Sequence, residues 1–283
     1  MNFSEEVITS RQNRTVVELC KLTDRKTREE RRLFRFDGIK LLAEAIKNRL
    51  ELELIALRRS SADRILRDCE KLCAESGFTT DARVVVLSDE LFDKISEEKS
   101  PEGVICIAKY IDKFEKNITI YNSADFFNIK NERIVLLESV RDPSNVGAII
   151  RSAAAIGVDR IIMSADCADI YHPRAVRASM GTLFNQPITR VDSLPEVIAH
   201  LRESGRRVYA AALNAGAKPL GSFVPEAGDT VVIGNEGHGL TAETVAACNG
   251  CVIIPMTNRA ESFNAAVAAS ILMWEFIGKQ SGF

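Results

Sequence analysis

Short apolar runs, each followed by a polar loop and then by apolar residues at helical spacing, recur along the chain. In the second half the runs are Ile134–Leu137, Arg160–Met163, Arg207–Ala211, Thr230–Ile233 and Val252–Ile254. They are β-branched and nearly free of polar positions, which predicts strands of a mostly parallel sheet buried on both faces. Helical spacing covers Val146–Ile156, Pro173–Met180, Leu194–Glu203, Ala242–Cys248 and Ser262–Ile277. An earlier α/β region runs to about Tyr110. There Glu53–Leu57, Arg83–Leu87 and Gly103–Ala108 read as strands. Arg14–Leu22, Ile39–Ile46 and Ser61–Ser76 read as helices, the last closed by Gly77 where a left-handed cap is expected. The stretch Asp112–Glu132 has no period and is rich in Asn, Lys and Asp, as a linker is, with a short structured piece around Phe126-Phe127. The expected organisation is a smaller α/β domain over 1–111, a linker over 112–131 and a second α/β domain over 132–283. No internal repeat or low-complexity tract is visible.

The 283 residues are 46% apolar and 27% charged, which excludes a disordered chain. The longest nearly uncharged stretch, Phe263–Trp274, is too short for the roughly 20 residues of a membrane span. The first ten residues carry two Glu and no basic segment, so no signal peptide is expected. Seven scattered cysteines then favour reduced thiols in a cytoplasmic protein. Cys248-x-x-Cys251 lacks a partner pair for zinc and reads as a helix end followed by a buried strand. Net charge is −2, yet Arg11–Arg35 holds nine Lys or Arg against four acids. Its Lys21–Arg35 part reads as a basic helix, with Arg28, Arg31 and Arg32 as candidate phosphate contacts; a solvated helix face is the competing reading.

Three polar loops follow strands of the second region: Ser139–Gly147, Gly234–Gly239 and Pro255–Asn264. Ligands of open α/β sheets bind at the carboxyl ends of strands, so three such loops together mark a site. Each also has a purely structural reading, as a turn, a glycine bend or a helix cap. Gly234–Gly239 is neither a P-loop nor a dinucleotide fingerprint. No His pair, Cys–His pair or carboxylate cluster supports metal hydrolysis or acyl transfer. An amide-rich set remains, with Arg151 and Glu236, suited to positioning a polar substrate beside a small-molecule cofactor. His238 lies inside the glycine loop; His200 reads as a helix-surface residue.

Asn145-x-Gly147-x-x-x-Arg151, then Ile233-Gly-Asn-Glu-Gly-His-Gly-Leu240, then Ile254-Pro-Met256 with Glu261-Ser-Phe-Asn264-Ala-Ala-Val-Ala268, resemble three ordered motifs. They are those of the SpoU (TrmH-type) RNA 2'-O-ribose methyltransferases of the SPOUT superfamily. Ile8–Asn13, the basic segment, Phe36–Lys40 and Pro101–Val104 resemble, more loosely, the family's auxiliary RNA-binding domain. Asp37 stands where Glu is usual, Ser144 where Gly is common and Phe263 where Leu is usual.

The resemblance implies a trefoil-knotted sheet, S-adenosylmethionine as cofactor without a metal, and a homodimer. It implies cofactor contacts from backbone groups of Gly234, Ile254 and Phe263. The reaction site it implies is Asn145, Arg151, Glu236, Ser262 and Asn264. The expected activity is methylation of a ribose 2'-hydroxyl in structured RNA, ribosomal RNA first and transfer RNA second. A catalytically silent RNA-binding or ribosome-assembly protein on the same fold is the alternative.

Overall fold

The computed structural model describes residues 2–111, 132–214, 216–257, 259 and 262–280. The linker expected over 112–131, with Phe126-Phe127, lies outside the described residues, as does Glu261 of the third motif. In chain order the first elements are β1 (Asn2–Ile8), α1 (Arg14–Lys21), α2 (Arg25–Arg31), β2 (Leu33–Asp37), α3 (Ile39–Lys47), β3 (Leu52–Arg58), α4 (Ala62–Ser76), β4 (Arg83–Leu87), α5 (Asp89–Ile95) and β5 (Val104–Lys109). The later elements are β6 (Ile134–Leu137), α6 (Pro143–Ile156), β7 (Arg160–Ser164), α7 (Pro173–Ser179), β8 (Ile188–Val191), α8 (Leu194–Glu203), β9 (Val208–Ala211), β10 (Lys218–Pro219), β11 (Thr230–Ile233), α9 (Ala242–Ala247), β12 (Gly250–Ile253) and α10 (Ala265–Phe276).

They form two compact units. The first comprises 1–111 together with Asp169–Asn185, a segment that the sequence reading places in the second domain. Its five strands run in the order β1-β4-β3-β5-β2. β1, β4 and β3 are parallel, and β5 is antiparallel to both β3 and β2. Leu19, Leu54, Leu87, Phe92 and Ile107 join helices to sheet on one face. The inserted segment contributes aromatic rings. Tyr171 stacks on Tyr110 at 3.8 Å and Phe184 packs 5.6 Å from Phe36.

The basic stretch differs from its expected form. Lys21–Arg35 is not one helix. α1 stops at Leu22, Asp24 caps α2 by accepting a hydrogen bond from Thr27 N–H (2.9 Å), and Arg32, at φ +57°, ends it. Leu33–Asp37 is then a strand, with Phe34 opposite Ala108 and Phe36 opposite Cys106. Arg35 is buried within that strand and paired with Asp37 at 2.9 Å.

The second unit comprises 112–168 and 186–283. Its seven strands, in the order β10-β12-β9-β11-β6-β7-β8, all pair in parallel. β6 and β11 are buried at every position, as strands covered by helices on both faces must be. α6 begins on an Asp142 cap with Pro143 in its first turn and ends at Gly157, φ +88°; this is the expected proline-in, glycine-out asymmetry. Cys248 caps the end of α9 and Cys251 lies in β12, both buried.

Candidate active site

The site lies in the second unit, where β6, β9, β11 and β12 deliver their following loops to one edge. The β11 loop is a tight closure: Asn235 and Gly239 exchange two backbone hydrogen bonds of 3.0 Å. Gly234 permits it. A Cβ there would stand 2.5 Å from the Gly239 carbonyl carbon and 2.7 Å from Leu240 N, closer than any side chain tolerates. Asn235 completes the loop from inside, its Oδ1 accepting from Gly237 and His238 N–H at 2.8 and 3.1 Å. Its Nδ2 donates to the Ser139 carbonyl at 2.7 Å, which ties the β11 loop to the β6 loop.

Beside this loop is a cavity of about 520 Å³. That size suits one cofactor-sized molecule. Gly234, Ile254 and Phe263 all line it, with Glu236, Ser262 and His238 among its polar members. Leu213, Met256 and Phe263 are apolar, exposed and part of the wall. Such a surface in water favours an organic ligand that covers it.

At the cavity's side, three loops meet through side-chain amides. Asn264 Nδ2 donates to Asn145 Oδ1 at 3.0 Å, and Asn145 Nδ2 donates to Glu236 Oε1 at 2.8 Å. The direction of donation fixes both amides, because a carboxylate can only accept. Asn264 also caps α10, accepting from Ala266 and Val267 N–H at 2.9 and 3.3 Å. The cap and the site contact are therefore roles of one residue.

Arg151 is not brought into this chain of contacts. It is exposed on α6 and makes no hydrogen bond or ion pair among the described residues. Six positions beyond Asn145, it lies about 9 Å along the helix and about 120° round it. Arg28 is a correction. It is 1% exposed, its guanidinium donating to Asp169 at 2.7 Å and to the Leu22 and Thr23 carbonyls at 2.9 and 2.7 Å. It is a buried tie inside the first unit and cannot contact a phosphate. Arg31 pairs at the surface with Glu18 (2.9 Å), and Arg32 lies over the Tyr110 ring at 5.0 Å.

Two site-shaping residues escape the sequence reading besides Asn235. Glu138, the first residue after β6, is buried and accepts from Thr241 N–H and Oγ1 at 2.8 and 3.0 Å and from the Thr244 hydroxyl. It anchors α9 behind the glycine loop; a lone acid directly after a fully apolar strand is its only signal. Asp166, after β7, accepts from the Ser139 and Ser164 hydroxyls at 2.5 and 2.6 Å. Burial raises its carboxyl, but these bonds and Arg141 outweigh burial and hold it below the usual value of 3.8. Nothing in the sequence marked it.

A fully parallel apolar sheet, with a ligand-sized cavity and a chain of amides at its carboxyl edge, defines an α/β domain with a candidate ligand site at the ends of its strands. Likeness to known proteins gives the particular family. Residues 132–274 match the SpoU rRNA Methylase family and residues 13–106 the MRM3-like substrate binding domain. RlmP of Bacillus subtilis, a 23S rRNA (guanosine(2553)-2'-O)-methyltransferase, is 28% identical over 271 residues, 96% of this chain and 99% of its own. A 23S rRNA (uridine(2479)-2'-O)-methyltransferase of Streptomyces viridochromogenes is 31% identical over 218 residues, 75% of this chain and 72% of its own. An AdoMet-bound rRNA methyltransferase from Sinorhizobium meliloti superposes with a TM-score of 0.77 at 26% identity, over 96% of this chain and 97% of its own. The chain belongs to the SpoU rRNA methylase family.

Proposed function

We propose that the chain transfers a methyl group from S-adenosylmethionine to a ribose 2'-hydroxyl of structured RNA, ribosomal RNA before transfer RNA. The observation that carries the proposal is the Asn264–Asn145–Glu236 chain abutting the Gly234 cavity, with Glu236 belonging to both. The near-full-length likeness to a 23S rRNA 2'-O-methyltransferase supports the choice of RNA. Backbone groups of Gly234, Ile254 and Phe263 would hold the cofactor, whose sulfonium supplies an electrophilic methyl group. The protein's own contribution is alignment, worth a large share of the barrier in a displacement reaction. Asn145 and Asn264, locked to each other, orient the ribose, with Ser262 beside them. Glu236 orients Asn145 rather than pairing with a charge that fades in the transition state. Arg151, permanently charged, grips a phosphate and stabilises developing alkoxide charge while water takes the proton. The amide chain holds a single carboxylate, Glu236, already accepting from Asn145, which is little negative charge for a divalent cation, so independence of metal is part of the proposal.

The proposal includes a homodimer, a trefoil knot and a cytoplasmic location. Exposed groups on α6 and α10 support the dimer: Val267 and Trp274 of α10 are each 47% exposed, and Arg151 of α6 has no partner among the described residues. The match to the SpoU family supports the knot. Among the described residues, no helix is long and apolar enough to cross a membrane. Arg31 and Arg32 stay in the proposal as RNA contacts of the first unit; Arg28 does not.

Methyl transfer from labelled S-adenosylmethionine into total RNA from a strain lacking the gene tests the reading. The expected product is a 2'-O-methylated nucleoside, formed equally with a chelator present. A methylated base overturns the chemistry. Cofactor and RNA binding without transfer would instead favour the silent RNA-binding protein.

A further inference from the structure

The β6 loop contains a residue in a costly conformation. Ser139 has φ +53°, in the left-handed region that side chains other than Asn and Asp rarely adopt. It is held there from three directions. Its N–H donates to Ser164 Oγ at 2.9 Å, its hydroxyl to Asp166 Oδ2 at 2.5 Å, and its carbonyl accepts from Asn235 Nδ2 at 2.7 Å. Ser164 Oγ donates to Asp166 Oδ1 at 2.6 Å, so both oxygens of that carboxylate are engaged. Backbone strain fixed this completely needs a purpose, and such strain concentrates at functional positions.

The turn sets the position of Arg141, two residues on. Arg141 lies between the pinned Ser139 and Asp142, the cap of α6, and is four residues from Asn145. Its side chain is 70% exposed, and Nη2 stands 3.4 Å from Asp166 Oδ2. That long contact steers the guanidinium and leaves its other N–H groups available. The site has need of them. The helix N-termini of α6 and α10 are ordinarily anion sites, but here Asp142 takes the N–H groups of Ser144 and Asn145, and Asn264 takes those of Ala266 and Val267. Positive charge for a polyanion near Asn145 must come from side chains.

We propose that Arg141 binds a phosphate of the RNA strand next to the methylated nucleotide, and that Asp166 is its positioning residue. Arginine suits this task because its planar fork matches two phosphate oxygens at once. The inference rests on the reading of the chain as an RNA 2'-O-methyltransferase and adds to it a specific contact outside the three motifs' amide chain.

The test compares full-length wild type with Arg141→Gln, Arg141→Lys and Asp166→Asn, using ribosomal RNA from the deletion strain. RNA affinity is measured across a salt series, S-adenosylhomocysteine affinity by calorimetry, and kcat and KM by methyl transfer. Arg141→Gln is expected to weaken RNA binding about tenfold and to reduce the salt slope by about one. Its cofactor affinity and melting temperature should match wild type. Arg141→Lys should keep the salt slope but regain only part of the affinity. Asp166→Asn should raise KM for RNA with little change in kcat. Wild-type RNA affinity and slope in Arg141→Gln overturn the contact, as does a matching loss of cofactor affinity or melting temperature, which would mark a structural role. A fall in kcat alone in Asp166→Asn overturns the positioning role. Wild-type enzyme that methylates no RNA overturns the underlying reading instead, and the salt series still decides the phosphate contact without it.

Discussion

At the scale of single residues, charge in the sequence says little until burial is known. Arg28 and Arg31 stand three apart in one basic run, yet the first is enclosed and the second lies at the surface. Removing the Arg28 side chain would leave Asp169 Oδ2 and the Leu22 and Thr23 carbonyls without their arginine donor, while Asp169 Oδ1 keeps Tyr171 N–H. Arg28→Ala should therefore cost about 3–5 kcal/mol, the range for breaking a buried pair. Arg31→Ala should cost at most about 1 kcal/mol, as exposed pairs do. Urea unfolding of the full chain, followed by a probe in the first unit, measures both; equal losses would contradict the assignment of Arg28 as a buried tie. Residues with a double role were half legible. Asn264 reads from sequence as a cap or as a site residue, and the structure makes it both. Asn235 and Glu138 were illegible because their work is to hold backbone, and a single side chain gives no periodic signal for that.

At the scale of elements, α7 starts on an unusual cap. His172 Nδ1 accepts from Arg174 N–H at 3.1 Å, which requires that nitrogen to be unprotonated. Burial and then the charge of Arg28 lower the His172 pKa below 6.5, against the smaller opposing pull of Asp169 and Glu97. The unfolded chain then binds the proton more readily than the folded one. Stability from this group is full above about pH 6.5 and declines as pH falls from there through the lowered folded value. His172→Asn keeps a capping side chain without a titration. Its urea midpoint should change less than that of wild type between about pH 7.5 and 5.5; parallel profiles would exclude His172 as the source. The elements that sequence reading found and missed divide on similar local grounds. Apolar runs such as β6 and β11 are unambiguous because both faces are buried. Leu33–Arg35, the first part of β2, falls in the stretch that reads as a basic helix because Arg35 interrupts its apolar pattern, and that arginine points inward to Asp37 and the Leu19 and Ile95 carbonyls. β8 is hidden by Thr189 and Arg190, and the two residues of β10 are too few to show a period.

At the scale of the whole molecule, the proposed reaction residues are not all brought together within one chain. Asn145, Glu236 and Asn264 are in contact, while Arg151 faces solvent from another side of α6. α10, joined to α6 by the Ser270–Ser152 hydrogen bond of 2.8 Å, carries the half-exposed Val267 and Trp274, and apolar side chains left in water favour association. If two copies meet through this surface, Arg151 of each reaches the amides of the other. Arg151→Ala and Asn264→Ala should each abolish methyl transfer in a homodimer. Co-expressed with different affinity tags and purified through both, the mixed dimer has two sites of different composition. With shared sites, one holds both lesions and the other holds neither, so about half of the wild-type rate per dimer returns by simple counting of sites. With each site built from one chain, every site holds one lesion and mixing restores nothing. Co-expression is needed because a packed apolar interface exchanges slowly. Verified mixed dimers without activity would place Arg151 and Asn264 in the same subunit's site and would leave the methyltransferase reading intact, since that reading depends on the amide chain and cavity of one unit and not on the interface.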